Sequence, residues 1–110
     1  MERTGLNFNI LIKKEEGLFV AHCLELDIVA TGDTLQQAKD DVLDLIAAQV
    51  DYAFSNDNLD NLYHPAPREV WREFFACKGS PEALKRKMGT TRKKTSVPPQ
   101  IVASTCLWVA

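Results

Sequence analysis

A chain of 110 residues, 45% hydrophobic and 25% charged, has the size of one compact domain and leaves little room for a second independent core. Its longest apolar runs, such as Ile101–Ala103 and Cys106–Ala110, fall far short of the roughly 20 residues a membrane helix needs. The opening Met1-Glu2-Arg3-Thr4 has no secretory character, so the expected location is cytoplasmic. The net charge of −2 hides an asymmetry: residues 1–60 carry four Lys/Arg against twelve Asp/Glu, and residues 61–110 carry nine against three. An acidic front and a basic rear fit either partners of opposite charge or attraction between the two halves of one fold.

In chain order, "LNFNILIKK" alternates, with Leu6, Phe8, Ile10 and Ile12 on one side and Asn7, Asn9, Leu11 and Lys13 on the other, which predicts a half-buried strand. "KEEG" supplies a turn with Gly17 available for positive φ, and "LFVAHC" completes a hairpin. After "LELD", a short third strand, "IVAT", reaches Gly32. Thr34 with Gln37 three residues on then matches a capping box and predicts a helix start. Leu35, Ala38, Val42, Leu45, Ile46, Gln49, Val50 and Ala53 recur at helical spacing as the docking stripe, leaving Lys39, Asp40, Asp41, Asp44 and Asp51 toward solvent.

A polar stretch, "SNDNLDN", ends that helix. Pro65 and Pro67 bracket a new start, with Val70, Trp71, Phe74 and Phe75 as an apolar stripe ending before Gly79. Ser80-Pro81-Glu82 predicts a second short helix through Met88, stopped at Gly89, and "TTRKKTS" reads as a basic linker. "VPPQIVASTCLWVA" is a final strand. The predicted fold is therefore α+β: three N-terminal antiparallel strands plus a C-terminal strand, packed on one amphipathic helix. Within the single domain 1–110, residues 6–55 form the core, 57–96 a helical insertion and basic linker, and 97–110 the last strand.

Chemistry finds little footing in these residues. Cys23, Cys77 and Cys106 are odd in number and widely spaced, without zinc-ligand pairing to His22 or His64, so reduced, mostly buried thiols are expected. No Ser or Cys nucleophile with a paired base follows from spacing, and His22 reads as a structural histidine. No metal, cofactor or catalytic role is expected. The basic group Lys85, Arg86, Lys87, Arg92, Lys93 and Lys94 is the candidate nucleic-acid surface, against a plain solvated face as the alternative. Trp71, Phe74, Phe75 and Trp108 are candidates for a subunit interface, with packing on the open sheet face as the other option. A dimer is favoured because a C-terminal edge strand would leave unpaired backbone groups.

The stretch "EEGLFVAHCLELDIVATGDTLQQA" resembles the HicB-type antitoxin family, whose pattern has an aromatic-Val-Ala strand, a proline-acid-leucine turn, and Gly-Asp-Thr before a helix with an early alanine. The match falls on Gly17, Phe19, Val20, Ala21, Glu25, Leu26, Gly32, Asp33, Thr34 and Ala38 and covers about residues 6–55. The sequence departs at Leu24, where the family carries proline, and at Thr31, where a second glycine is usual. The resemblance implies a truncated ribonuclease H-like fold of order β-β-β-α-β. It implies an interaction protein that neutralises a small basic RNA-cleaving toxin of the HicA type. The acids that a ribonuclease H-like nuclease would place on the first strand are missing, since Asn7 and Asn9 stand there. Asp40, Asp41, Asp44 and Asp51 are the expected contact for the basic toxin; the alternative function is a small nucleic-acid-binding regulator using residues 85–94.

Overall fold

The computed structural model describes residues 5–56, 62–77, 82–87 and 100–107. Five strands and two helices are present among them: β1 (Gly5–Glu15), β2 (Leu18–Cys23), β3 (Ile28–Gly32), α1 (Leu35–Ser55), α2 (Arg68–Ala76), β4 (Glu82–Lys87) and β5 (Gln100–Leu107). They build one mixed sheet in the order β3-β2-β1-β5-β4. The predicted α+β class and the β-β-β-α-β order of the core are what the structure shows, with β4 added.

The hairpin β1–β2 turns through Glu16 and Gly17, both at positive φ (51° and 82°), the signature of a two-residue I′ connection. The period-2 pattern then divides the sheet's faces. Phe8, Ile10 and Ile12 of β1, Ala21 and Cys23 of β2, Ala30 of β3, and Ile101 and Ala103 of β5 all share the face that α1 covers with Ala38, Val42, Ile46, Val50 and Ala53. Each large side chain so buried contributes about 1.5–3 kcal/mol. Thr34 caps α1 as expected, its hydroxyl accepting from Gln37 N at 3.0 Å. Gln37 reaches one residue further back than a standard capping box, its Oε1 accepting from Asp33 N at 2.9 Å.

Gly32 owes its place to space. A Cβ there would lie 2.7 Å from the backbone nitrogen of Ala38, so only glycine lets α1 begin this close to the end of β3.

The opposite face carries a smaller cluster. Leu11 and Leu24 are buried there under α2, with Ala66, Val70, Trp71, Phe74 and Cys77 around them. The chain passes from one face to the other along residues 62–66: Leu62 belongs to the α1-side core, Tyr63 stacks on Phe8 at 6.4 Å, and Ala66 belongs to the α2 side. Backbone bonds hold the crossing to the turn after β2, His64 N donating to Glu25 O (3.0 Å) and Ala66 N to Leu24 O (2.7 Å). An ion pair from Lys13 Nζ to Glu73 Oε1 (2.6 Å) adds to the seating of α2.

Four expectations are corrected. In place of the second insertion helix expected over 81–88, Glu82–Lys87 is strand β4, paired antiparallel with β5. β5 is consequently interior, with β1 parallel on one side and β4 on the other, so the edge-strand argument for a dimer falls. Cys77 and Cys106 are joined in a disulfide (Cα–Cα 6.4 Å) and are not free thiols; Cys23 alone is free, and it is buried. In α1, Lys39 is buried at 8% exposure, whereas Leu45, assigned to the docking stripe, is 43% exposed and Gln49 is exposed too. Helical spacing marks a stripe more than 100° wide, and the helix sits rolled so that position 39 falls inside it and 45 on its rim.

Candidate interaction surface

α1 packs chiefly over β3 and β2, which leaves its outer face free of the sheet. Asp40, Asp44 and Asp51 fall within one narrow stripe of that face at 3.6 residues per turn, and all three are exposed. Asp40 accepts a hydrogen bond from Gln36 Nε2 at 3.0 Å. Asp41 lies about a quarter-turn away, on the line of Leu45, Ala48 and Tyr52. The four predicted contact acids therefore divide, three pointing outward and one bordering a flank.

That flank is apolar. Leu45, Ala48, Gln49 and Tyr52 follow the i, i+3, i+4, i+7 spacing and, with Ile28 of β3, line a shallow groove of about 180 Å3. Tyr52 is 62% exposed, and Val29 on the other side of β3 is exposed as well. β3 ends the sheet order, so among the described residues the N–H and C=O groups that point away from β2 have no strand to meet. Sequence reading missed this feature because Leu45 and Gln49 fit the docking periodicity; the signal was Tyr52, a large residue about one turn beyond Gln49 and outside the predicted stripe.

On the α2 side a second, smaller hollow is lined by Leu11, Lys13, Glu15, Val20, His22, Val70 and Glu73. His22 Nε2 lies 2.6 Å from Asp27 Oδ1, with Asp27 held at φ 55°. A carboxylate so placed orients a ring, and that fits the structural role expected of His22. The adjacent Cys23 points to the other face of β2, where burial pushes its thiol up to about 12, far from a usable thiolate. Among the described residues no group of three or more His, Cys, Asp or Glu is arranged to hold a metal ion.

Asn9 has a structural bond pattern. Its backbone N–H and its Nδ2 both donate to the Glu25 carboxylate at 2.7 Å, and its carbonyl accepts from Leu24 N at 2.9 Å. Glu25 thus continues the ladder beyond the end of β2 with a side chain in place of a strand.

Of the aromatic candidates, Trp71 and Phe74 are partly buried against the α2-side cluster, which selects sheet packing for them. Phe75 touches both, with ring centroids 6.1 and 5.8 Å away, yet remains 75% exposed. Lys85, Arg86 and Lys87 lie on β4, whereas Arg92, Lys93, Lys94 and Trp108 lie outside the described residues. No described helix is long and apolar enough to cross a membrane.

Compared with known proteins, the chain matches no family model, no curated protein and no solved structure.

Proposed function

We propose that this protein is a binding module of the HicB antitoxin kind, acting by contact and without catalysis of its own, whose partner is a small basic RNA-cleaving toxin of the HicA type. The observation that carries the reading is the exposed stripe Asp40, Asp44 and Asp51 along a 21-residue helix whose opposite face is committed to the core. Carboxylates on a rigid element raise association rates with a basic partner more than they raise affinity. The motif residues behind the resemblance also fit, since Gly17, Gly32 and Thr34 make the turn, the close approach and the cap that present this helix. A homodimer through α2 would use Phe75, the exposed member of its aromatic stripe.

The test is association with a small basic protein encoded beside this one, by co-expression rescue and by stopped flow. D40K/D44K/D51K is expected to slow association at low salt at least tenfold, with the difference shrinking as salt rises. An unchanged rate at low salt refutes the acidic-helix reading.

A further inference from the structure

We infer that the free edge of β3, with the groove beside it, is a strand-addition site for an extended basic segment of a partner protein. The site deepens the binding-module reading given above and rests on it. Two features define it. Among the described residues no strand pairs with the outer edge of Ile28–Gly32, where an incoming strand would find backbone donors and acceptors. Directly alongside, Ile28, Leu45, Ala48 and Tyr52 offer an apolar groove to every second side chain of that strand.

Charge selects the occupant. β3 is bracketed by Asp27 and Asp33, both exposed, and Asp41 stands on the groove's own line. A segment laid along the edge meets the Asp33 carboxylate at one end, Asp41 at the side and, at the other end, Asp27, whose Oδ1 already meets His22 Nε2, so Lys or Arg alternating with apolar residues is the complementary pattern. A second copy pairing β3 with β3 is disfavoured by the same residues. Full antiparallel pairing about Ala30 sets Asp27 of one copy opposite Asp33 of the other, and like charges directly opposed destabilise a strand pair.

The probe is the capped peptide Lys-Val-Arg-Val-Lys-Val-Arg-Val-Lys, titrated at low salt into the isotope-labelled full chain and followed by amide shifts. The expected result is perturbation of Ile28–Gly32 and of Leu45–Tyr52, with affinity falling at least tenfold in L45K or A48K, both at exposed positions that a folded chain tolerates. A second peptide with proline in place of each valine cannot pair as a strand and is expected to bind at least tenfold more weakly, a comparison that needs no variant protein. Equal binding of the two peptides, an unperturbed β3, or an affinity indifferent to L45K overturns strand addition. Concentration-dependent self-association that occupies β3 would also overturn it, in favour of a second copy. These failures leave the binding-module reading standing if D40K/D44K/D51K still slows association with the basic partner protein; loss of that effect as well sinks both.

Discussion

Opening the Cys77–Cys106 disulfide is expected to destabilise the fold by about 3.6 kcal/mol. The bridge closes a loop across a sequence separation of 29 residues. The chain-entropy relation gives a loss of roughly 12 cal/mol/K for a loop of that size, or ~3.6 kcal/mol at room temperature. The bond ties the end of α2 to β5, and the remaining attachment of α2 is a small cluster about Leu11 and Leu24 with the Lys13–Glu73 pair. The larger core beneath α1 contains neither cysteine, so the fold should survive reduction in weakened form. The assay is urea unfolding of the oxidised protein, the reduced protein and C77S/C106S, fitted with a common slope. Thiol titration under native conditions reports reduction through Cys77, which is half-buried, because Cys23 and Cys106 are both buried. Reduced protein and double variant should agree with each other and fall below the oxidised form by about 2–4 kcal/mol, the usual range for such bonds. A difference under about 1 kcal/mol refutes the reasoning, since the bridge would then hold together a loop already closed in the unfolded ensemble.

Other consequences can be measured on the same protein. Gly32→Ala forces a Cβ to 2.7 Å from Ala38 N and is expected to cost about 1–3 kcal/mol in denaturant unfolding; a neutral result would mean the start of α1 can shift. Glu25→Ala removes the acceptor of two 2.7 Å bonds from Asn9 and should cost about 2–3 kcal/mol, whereas Glu25→Gln should cost less because one acceptor remains. The Cys23 thiol is raised from 9.0 to about 12 in the fold, so the unfolded chain ionises first as pH climbs. The stability this group contributes is complete below pH 9 and is lost as pH rises toward 12, at up to about 1.4 kcal/mol per pH unit. Cys23→Ala, though weaker at neutral pH through its cavity, should lose that part of the alkaline slope; an identical slope in both proteins would contradict it.

The strands and the long helix were legible because their patterns agree at every level. β1 alternates, "KEEG" makes the hairpin turn, and Thr34 with Gln37 marks where the period changes. β4 was not legible for a physical reason: Glu82-Ala83-Leu84-Lys85-Arg86-Lys87 consists of good helix formers behind a Ser-Pro start, and pairing with β5 overrides that propensity. The disulfide was hidden by a sequence separation of 29 and shows only when α2 is laid on the second face of the sheet. A hint of that covering existed in Leu11, a lone large apolar residue on an otherwise polar side of β1. The acids of α1 were read correctly as exposed. The apolar groove beside β3 was not seen, because periodicity fixes the width of a helix's docking stripe but not the few tens of degrees by which the helix is rolled on its sheet.

The central position of β1 has a consequence for how the molecule forms and opens. Its antiparallel neighbour is six residues from start to finish and follows at once, whereas its parallel neighbour β5 begins 95 positions further along, as the pairing of Gly5 with Gln100 records. The hairpin, β3 and α1 can assemble early from local contacts, while the β1–β5 seam waits for a long loop to close, which makes it the late and slow step. The same seam joins β4 and β5 to the rest of the sheet, so its parting would free two strands together and uncover the side of β1 with them. Amides along Leu6–Ile12 that bond across to β5 should thus exchange with those of β5 as one unit, apart from the hairpin that β1 shares with β2.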